Sequence, residues 1–227
     1  MFNLLTEAWS APEKFGTGDT LKYTRLSISD WAVYVNDGLN GDTATRTKVL
    51  DILRTELAKL ASEISPRSLA ILRTVPIYVE DQSPRNRWEQ FATFHPSMDW
   101  LTTHGLDPRW AGAVQIVNAK NFLERYEKLP EMIVVLFADA YNSKALGFRD
   151  KHLAHLYQNA IAERKYTDVL SKFKRNDHSP AAKSERAYFQ WISATFLHGA
   201  SYYPFTKDKL EGYDPDMFKF LHECWEQ

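Results

Sequence analysis

The stretch EMIVVLFADAYNSKALGF, Glu131–Phe148, decides the fold. Pro130 and Glu131 suit the first turn of a helix, and Gly147 suits its end. Between Met132 and Leu146 apolar residues fall on nearly every side of that helix, so the pattern predicts a segment buried in the middle of a domain. Its apolar run, Met132 to Ala138, is far short of the roughly 18 residues a membrane helix needs. One charge, Asp139, interrupts the run. An unpaired carboxylate in such a place costs several kcal/mol or is driven neutral.

Working outward, Asn118 is placed to cap a helix through about Lys128, and a short apolar segment at Ala113–Val117 reads as a strand. His95-Pro96-Ser97-Met98-Asp99-Trp100-Leu101 begins a short helix that stops at Gly105, and residues 82–95, polar and aromatic with Pro84 and Pro96, read as a loop. Thr74–Asp81 puts Val75, Ile77 and Val79 on one side of a strand. Ser27–Asn36 alternates Trp31, Val33 and Val35 with Ala32 and Tyr34, again a strand. Gly38, Gly41 and Asp42 make a turn, with Asp42 as N-cap. Val49, Leu53, Leu57, Leu60 and Ile64 then recur at helical spacing up to Pro66. Toward the C-terminus helices are expected over roughly 150–164 and 182–197, the second ended near Gly199, and Asp214-Pro215 is expected to cap a last amphipathic helix carrying Phe218, Leu221 and Trp225. A few strands followed mostly by helices predict a helix-dominated α+β fold in a single domain over 1–227, with 1–22 an irregular N-terminal arm.

Of the 227 residues 44% are hydrophobic and 14% aromatic, enough for a sizeable core. Twenty-eight basic against twenty-nine acidic residues argue against nucleic acid or an anionic membrane as partner. One cysteine, Cys224, excludes an internal disulfide, and the first residues lack the basic start of a secretory signal. A soluble, cytoplasmic protein is the expectation. Glycine-rich phosphate loops, dinucleotide fingerprints and a Gly-x-Ser-x-Gly elbow are absent from the sequence.

Seven pieces in order carry a likeness: Asp30–Asn36, Leu72–Glu80, His95–Leu101, Val117–Glu124, Leu129–Val134, Ala145–Phe148 and Tyr202–Phe205. From about Trp31 to Trp225 the layout resembles bacterial and fungal zinc peptidase-like proteins related to the catalytic domain of lethal-factor-type gluzincins. The resemblance implies a small sheet and a buried former active-site helix. In such peptidases that helix carries His-Glu-x-x-His, two zinc ligands one turn apart with a glutamate base. Here the corresponding window is Val135-Leu136-Phe137-Ala138-Asp139. The later helix, which would supply a third ligand, has Ala187 there, Trp191 one turn on, and Pro180 where the family has a tyrosine. Val135, Leu136 and Ala187 are inert, and one carboxylate does not hold zinc against water. The resemblance therefore implies a metal-free pseudopeptidase with no cofactor.

Two functions are compatible with that. One is binding, with a partner protein, a peptide or a small apolar ligand in the former substrate cleft among Val135, Leu136, Ala187 and Trp191, helped by Tyr141 and Asn142. The other is a metal-independent isomerase, cyclase or lyase with Asp139 as acid or base. Asp139 is otherwise a structural acceptor, with Arg186 or Lys183 as partner. Trp191 either fills volume a metal site gave up or walls a pocket. His152 and His155 share a helix flank without a third ligand, and His95 is expected to fix the turn into the Ser97 helix.

Overall fold

The computed structural model describes residues 22–81, 91–175 and 177–227. The expected N-terminal arm, Lys22 apart, lies outside them, as does most of the expected 82–95 loop.

The chain opens with a hairpin, β1 (Tyr23–Ile28) and β2 (Trp31–Asn36), where the sequence suggested one strand from Ser27. Ser29 and Asp30 turn it, both at positive φ (49° and 68°), the conformation a two-residue hairpin requires. β2 alternates as expected: Trp31, Val33 and Val35 are buried, and the residues between them are half-exposed. A 3-10 turn over Asp37–Gly41 leads to α1 (Thr43–Glu63), where Asp42 accepts from Thr45 N at 3.1 Å as N-cap. Pro66 ends α1 and opens another helix, because Ser65 caps α2 (Pro66–Leu72) behind it.

β3 (Ile77–Val79) runs parallel to β2. β4 (Ala92–Phe94), hidden in the sequence as loop, and α3 (Met98–Thr103) follow, then β5 (Val114–Ile116). The sheet order is β1-β2-β3-β5-β4, parallel at its centre, with β1 and β4 antiparallel edges. One face packs its Trp31, Val33, Ile77 and Phe94 against α1 and the central helix in the main core. The other carries Tyr34, Tyr78 and Gln115 and is partly covered by Leu101, Leu106 and Trp110.

α4 (Ala119–Lys128) is capped by Asn118, which accepts from Asn121 N at 2.9 Å. The stretch that decided the reading forms α5 (Met132–Tyr141), continues as a π-turn over Asn142–Leu146, and stops at Gly147 (φ 63°). Every α5 residue is buried except Val135. Glu131 does not cap it by side chain. Its carboxylate accepts from Ser201 N (2.7 Å) and Ser201 Oγ (3.1 Å), tying the segment after Gly199 to the start of the central helix.

The remaining helices are α6 (Lys151–Ala162), α7 (Glu185–Leu197), α8 (Lys207–Tyr213) and α9 (Pro215–Trp225). Asp214 departs from its expected role. Its side chain makes no cap; Oδ2 accepts from the hydroxyls of Tyr166 (2.8 Å) and Tyr188 (2.7 Å), because the residue is buried between α7 and the 163–169 turn. The molecule is thus α+β and helix-rich, with a small mixed sheet. No helix among the described residues is long and apolar enough to cross a membrane.

Candidate functional site

A cleft of about 840 Å³ opens between the edge strand β4 and the helices α5 and α7. Its strand side is continuous: every residue from Phe91 to Ser97 lines it. Opposite stand Met132, Val135, Leu136 and Asp139 of α5, one residue or pair per turn, as i, i+3, i+4, i+7 spacing on one helix face requires. Ser184, Ala187, Gln190 and Trp191 of α7 complete the wall.

Val135, Leu136, Asp139, Ala187, Trp191 and Pro180, scattered over fifty-odd positions, therefore meet in one cleft. Tyr141 and Asn142 do not line it. Tyr141 lies beyond the cleft-facing turn; its hydroxyl donates to the Cys224 carbonyl at 3.1 Å, and its ring packs 4.5 Å from that of Trp225. Asn142 is buried in the π-turn, with Oδ1 unpaired among the described residues. The polar contacts expected of these two in the cleft are therefore corrected: Tyr141, two positions beyond Asp139, falls on the opposite face of α5, and Asn142 is drawn into the π-turn.

Asp139 is almost wholly buried, and Arg186 grips both its oxygens: Nε donates to Oδ1 at 2.6 Å and Nη2 to Oδ2. The guanidinium also lies over the Phe148 ring, 4.9 Å from its centroid. Burial raises the Asp139 carboxyl above its ordinary value, and Arg186 and a hydrogen bond from Gln190 offset only part of that. A carboxylate held in a bidentate fork is a structural acceptor first, since its lone pairs are spent on Arg186. Trp191 is half-buried. It meets Tyr202 edge-on at 5.9 Å and walls the cleft without filling it.

The sequence gives His95 a place in a turn and no part in the cleft. Its backbone extends the β4–β5 ladder, donating to Ala113 O (3.0 Å) and accepting from Gly112 N (2.7 Å). Its ring, however, lines the cleft, stacked near Trp100 and Trp110 with Nε2 2.8 Å from Gln115 Oε1. Behind Gln115 lies buried Glu80, which accepts from Tyr23 Oη (2.5 Å) and Asn36 Nδ2 (2.7 Å). Burial raises the Glu80 carboxyl, and these donors and the Gln115 amide draw it partly back. Burial lowers the His95 imidazole, so it is neutral near pH 7. No spacing signal marks this row, because Glu80, Gln115 and His95 come from three different strands and their ends.

The positions that the gluzincin resemblance assigns to zinc do not fit a metal: Val135 and Ala187 offer no donor atom, and Asp139 is taken by Arg186. No three His, Cys, Asp or Glu side chains gather into a metal-binding group among the described residues. His152 instead stands edge-on to Phe220 at 5.3 Å, and His155 is 3.2 Å from Asn159 Nδ2. Compared with known proteins, the chain matches no family model, no curated protein and no solved structure.

Proposed function

We propose that the chain is a metal-independent, gluzincin-like binding protein, a pseudopeptidase, that takes an extended peptide segment into the cleft beside β4. One observation carries this reading: the cleft runs the whole length of an edge strand whose outer hydrogen-bonding groups face away from the sheet. Phe91 O accepts from Val117 N (2.8 Å) and His95 N donates to Ala113 O (3.0 Å), so 91, 93 and 95 are the residues bonded to β5. In an antiparallel pair the residues between point the other way. No other strand among the described residues pairs with that edge, so Ala92 and Phe94 offer their backbone groups where an added strand pairs. Phe91, Leu129, Met132, Leu136 and Trp191 supply apolar wall for alternate side chains.

The inert residues at the resemblance-derived zinc and base positions favour binding over hydrolysis. The fork on Asp139 weakens the reading of that residue as acid or base. A single buried Cys224 suits the reducing cytoplasm.

Ala92→Pro tests the groove. Proline deletes an N–H that does not serve the β4–β5 ladder, so the sheet persists. Binding of peptides selected from a random phage-displayed library is expected to weaken at least about tenfold, the worth of one or two backbone hydrogen bonds plus the blocked edge. The melting temperature should move by only a few degrees. Undiminished binding by the folded variant contradicts strand addition at β4.

A further inference from the structure

The cleft also carries an asymmetry of charge and one unanswered acceptor. Among the described residues Arg125, Lys183 and Arg186 line it, against the one carboxylate of Asp139, in a chain whose formal net charge is −1. Asp139 and Arg186 are spent on each other. Arg125 rests over the Phe91 ring at 5.3 Å, and neither it nor Lys183 has an ion-pair partner among the described residues. Lys183 stands just ahead of α7, whose N-terminus, capped by Ser184 at 3.1 Å from Ala187 N, opens on the same cleft and adds partial positive charge.

His95 supplies an independent observation. Tyr23 and Asn36 donate to Glu80, so that carboxyl is an acceptor, and the Gln115 amide turns its nitrogen toward it. That nitrogen falls short of a full hydrogen bond, but its placement leaves Gln115 Oε1 for His95. The network thus assigns the His95 proton to Nε2 and a bare lone pair to Nδ1. The residue is 4% exposed and lines the cleft, and its Nδ1 has no partner among the described residues. A neutral acceptor held rigidly in a groove answers a donor on whatever enters.

We infer that the groove selects acidic peptides: segments whose carboxylates meet Lys183 and Arg125 and which set an N–H or O–H against His95 Nδ1. This inference rests on the peptide-groove reading above and adds the class of ligand to it. Basic segments would meet uncompensated cations, and wholly apolar ones would leave His95 unanswered.

The test selects a random ten-residue phage-displayed library on the full chain, then compares fluorescein-labelled winners with versions carrying Asn and Gln for every Asp and Glu. Enrichment in acidic residues and at least about tenfold weaker binding of the neutralised peptides are expected. The double variant Arg125→Glu with Lys183→Glu, both at exposed positions, should lose that preference. In the free wild type, nitrogen NMR should find His95 Nδ1 unprotonated, with its resonance moving on peptide binding as it accepts a hydrogen bond. Binders that show no acidic bias, or that survive neutralisation, overturn the inference and leave the groove standing. A protonated or unresponsive Nδ1 overturns the assignment of His95. A library that yields no binder at all overturns the groove reading itself.

Discussion

Replacing Arg186 by Met is expected to destabilise the fold by about 2 to 3 kcal/mol at pH 8. Breaking a buried pair by deleting one partner costs roughly 3–5 kcal/mol, and the half-exposed guanidinium, already shared with water, brings the figure down. The cost falls on Asp139, which stays buried without its fork. Its folded-state carboxyl, raised already by burial, then rises further. An acid whose folded value lies above its unfolded one stabilises below the unfolded value and loses that contribution as pH climbs toward the folded one. The variant should therefore be closer to wild type at pH 5 than at pH 8. Asp139→Asn keeps the shape and should cost about 1–3 kcal/mol with no such slope. Urea denaturation of the three proteins at both pH values checks this, and an Arg186→Met protein as stable as wild type at both would show that the fork holds nothing.

Glu80→Ala is the second large effect, about 3 kcal/mol. Glu80 is 2% exposed, and its loss orphans Tyr23 Oη and Asn36 Nδ2 together, each unmade bond at a buried site costing roughly 1–3 kcal/mol. Tyr23 also receives Trp110 Nε1 at 3.2 Å, so the layer covering the outer sheet face loosens with it. Glu80→Gln should cost less and report on charge. In the wild type the raised Glu80 carboxyl makes stability fall as pH rises above the ordinary glutamate range, and the amide variant should flatten that part of the profile. A variant pair with wild-type stability and slope would place the Glu80–Gln115–His95 row outside the forces that hold the fold.

Much of this architecture is legible in the sequence where one physical signal dominates. The all-round apolar helix at 132–141, the caps Asp42 and Asn118, and the alternation of Trp31, Val33 and Val35 are such signals, each set by burial or by an orphan N–H. The hairpin escaped notice because Ser29 and Asp30 adopt positive φ without the glycine that usually advertises it. β4 escaped because three residues, Ala92-Thr93-Phe94, are too few to alternate visibly and become a strand only when β5 lies beside them. Asp214 read as a helix cap, since Asp-Pro fits one, and nothing local shows that two distant tyrosines claim its carboxylate. For the site, residues spaced along α5 and α7 could be grouped from helical geometry. The same geometry sets Tyr141, two positions beyond Asp139, on the opposite face of α5, where its hydroxyl meets the Cys224 carbonyl eighty-three positions away. His95 was passed over because its importance lies in Gln115 and Glu80, neighbours that only the sheet register creates.

Residue-resolved amide hydrogen exchange of β4, with and without a saturating selected peptide, tests the central claim most directly. Strand addition at the free edge protects alternate residues. The amides of Ala92 and Phe94, which point away from β5, should slow markedly on binding, while Thr93, already paired to Gln115, should not change. Unchanged exchange at Ala92 and Phe94 under saturating peptide, with protection arising elsewhere, would contradict the account.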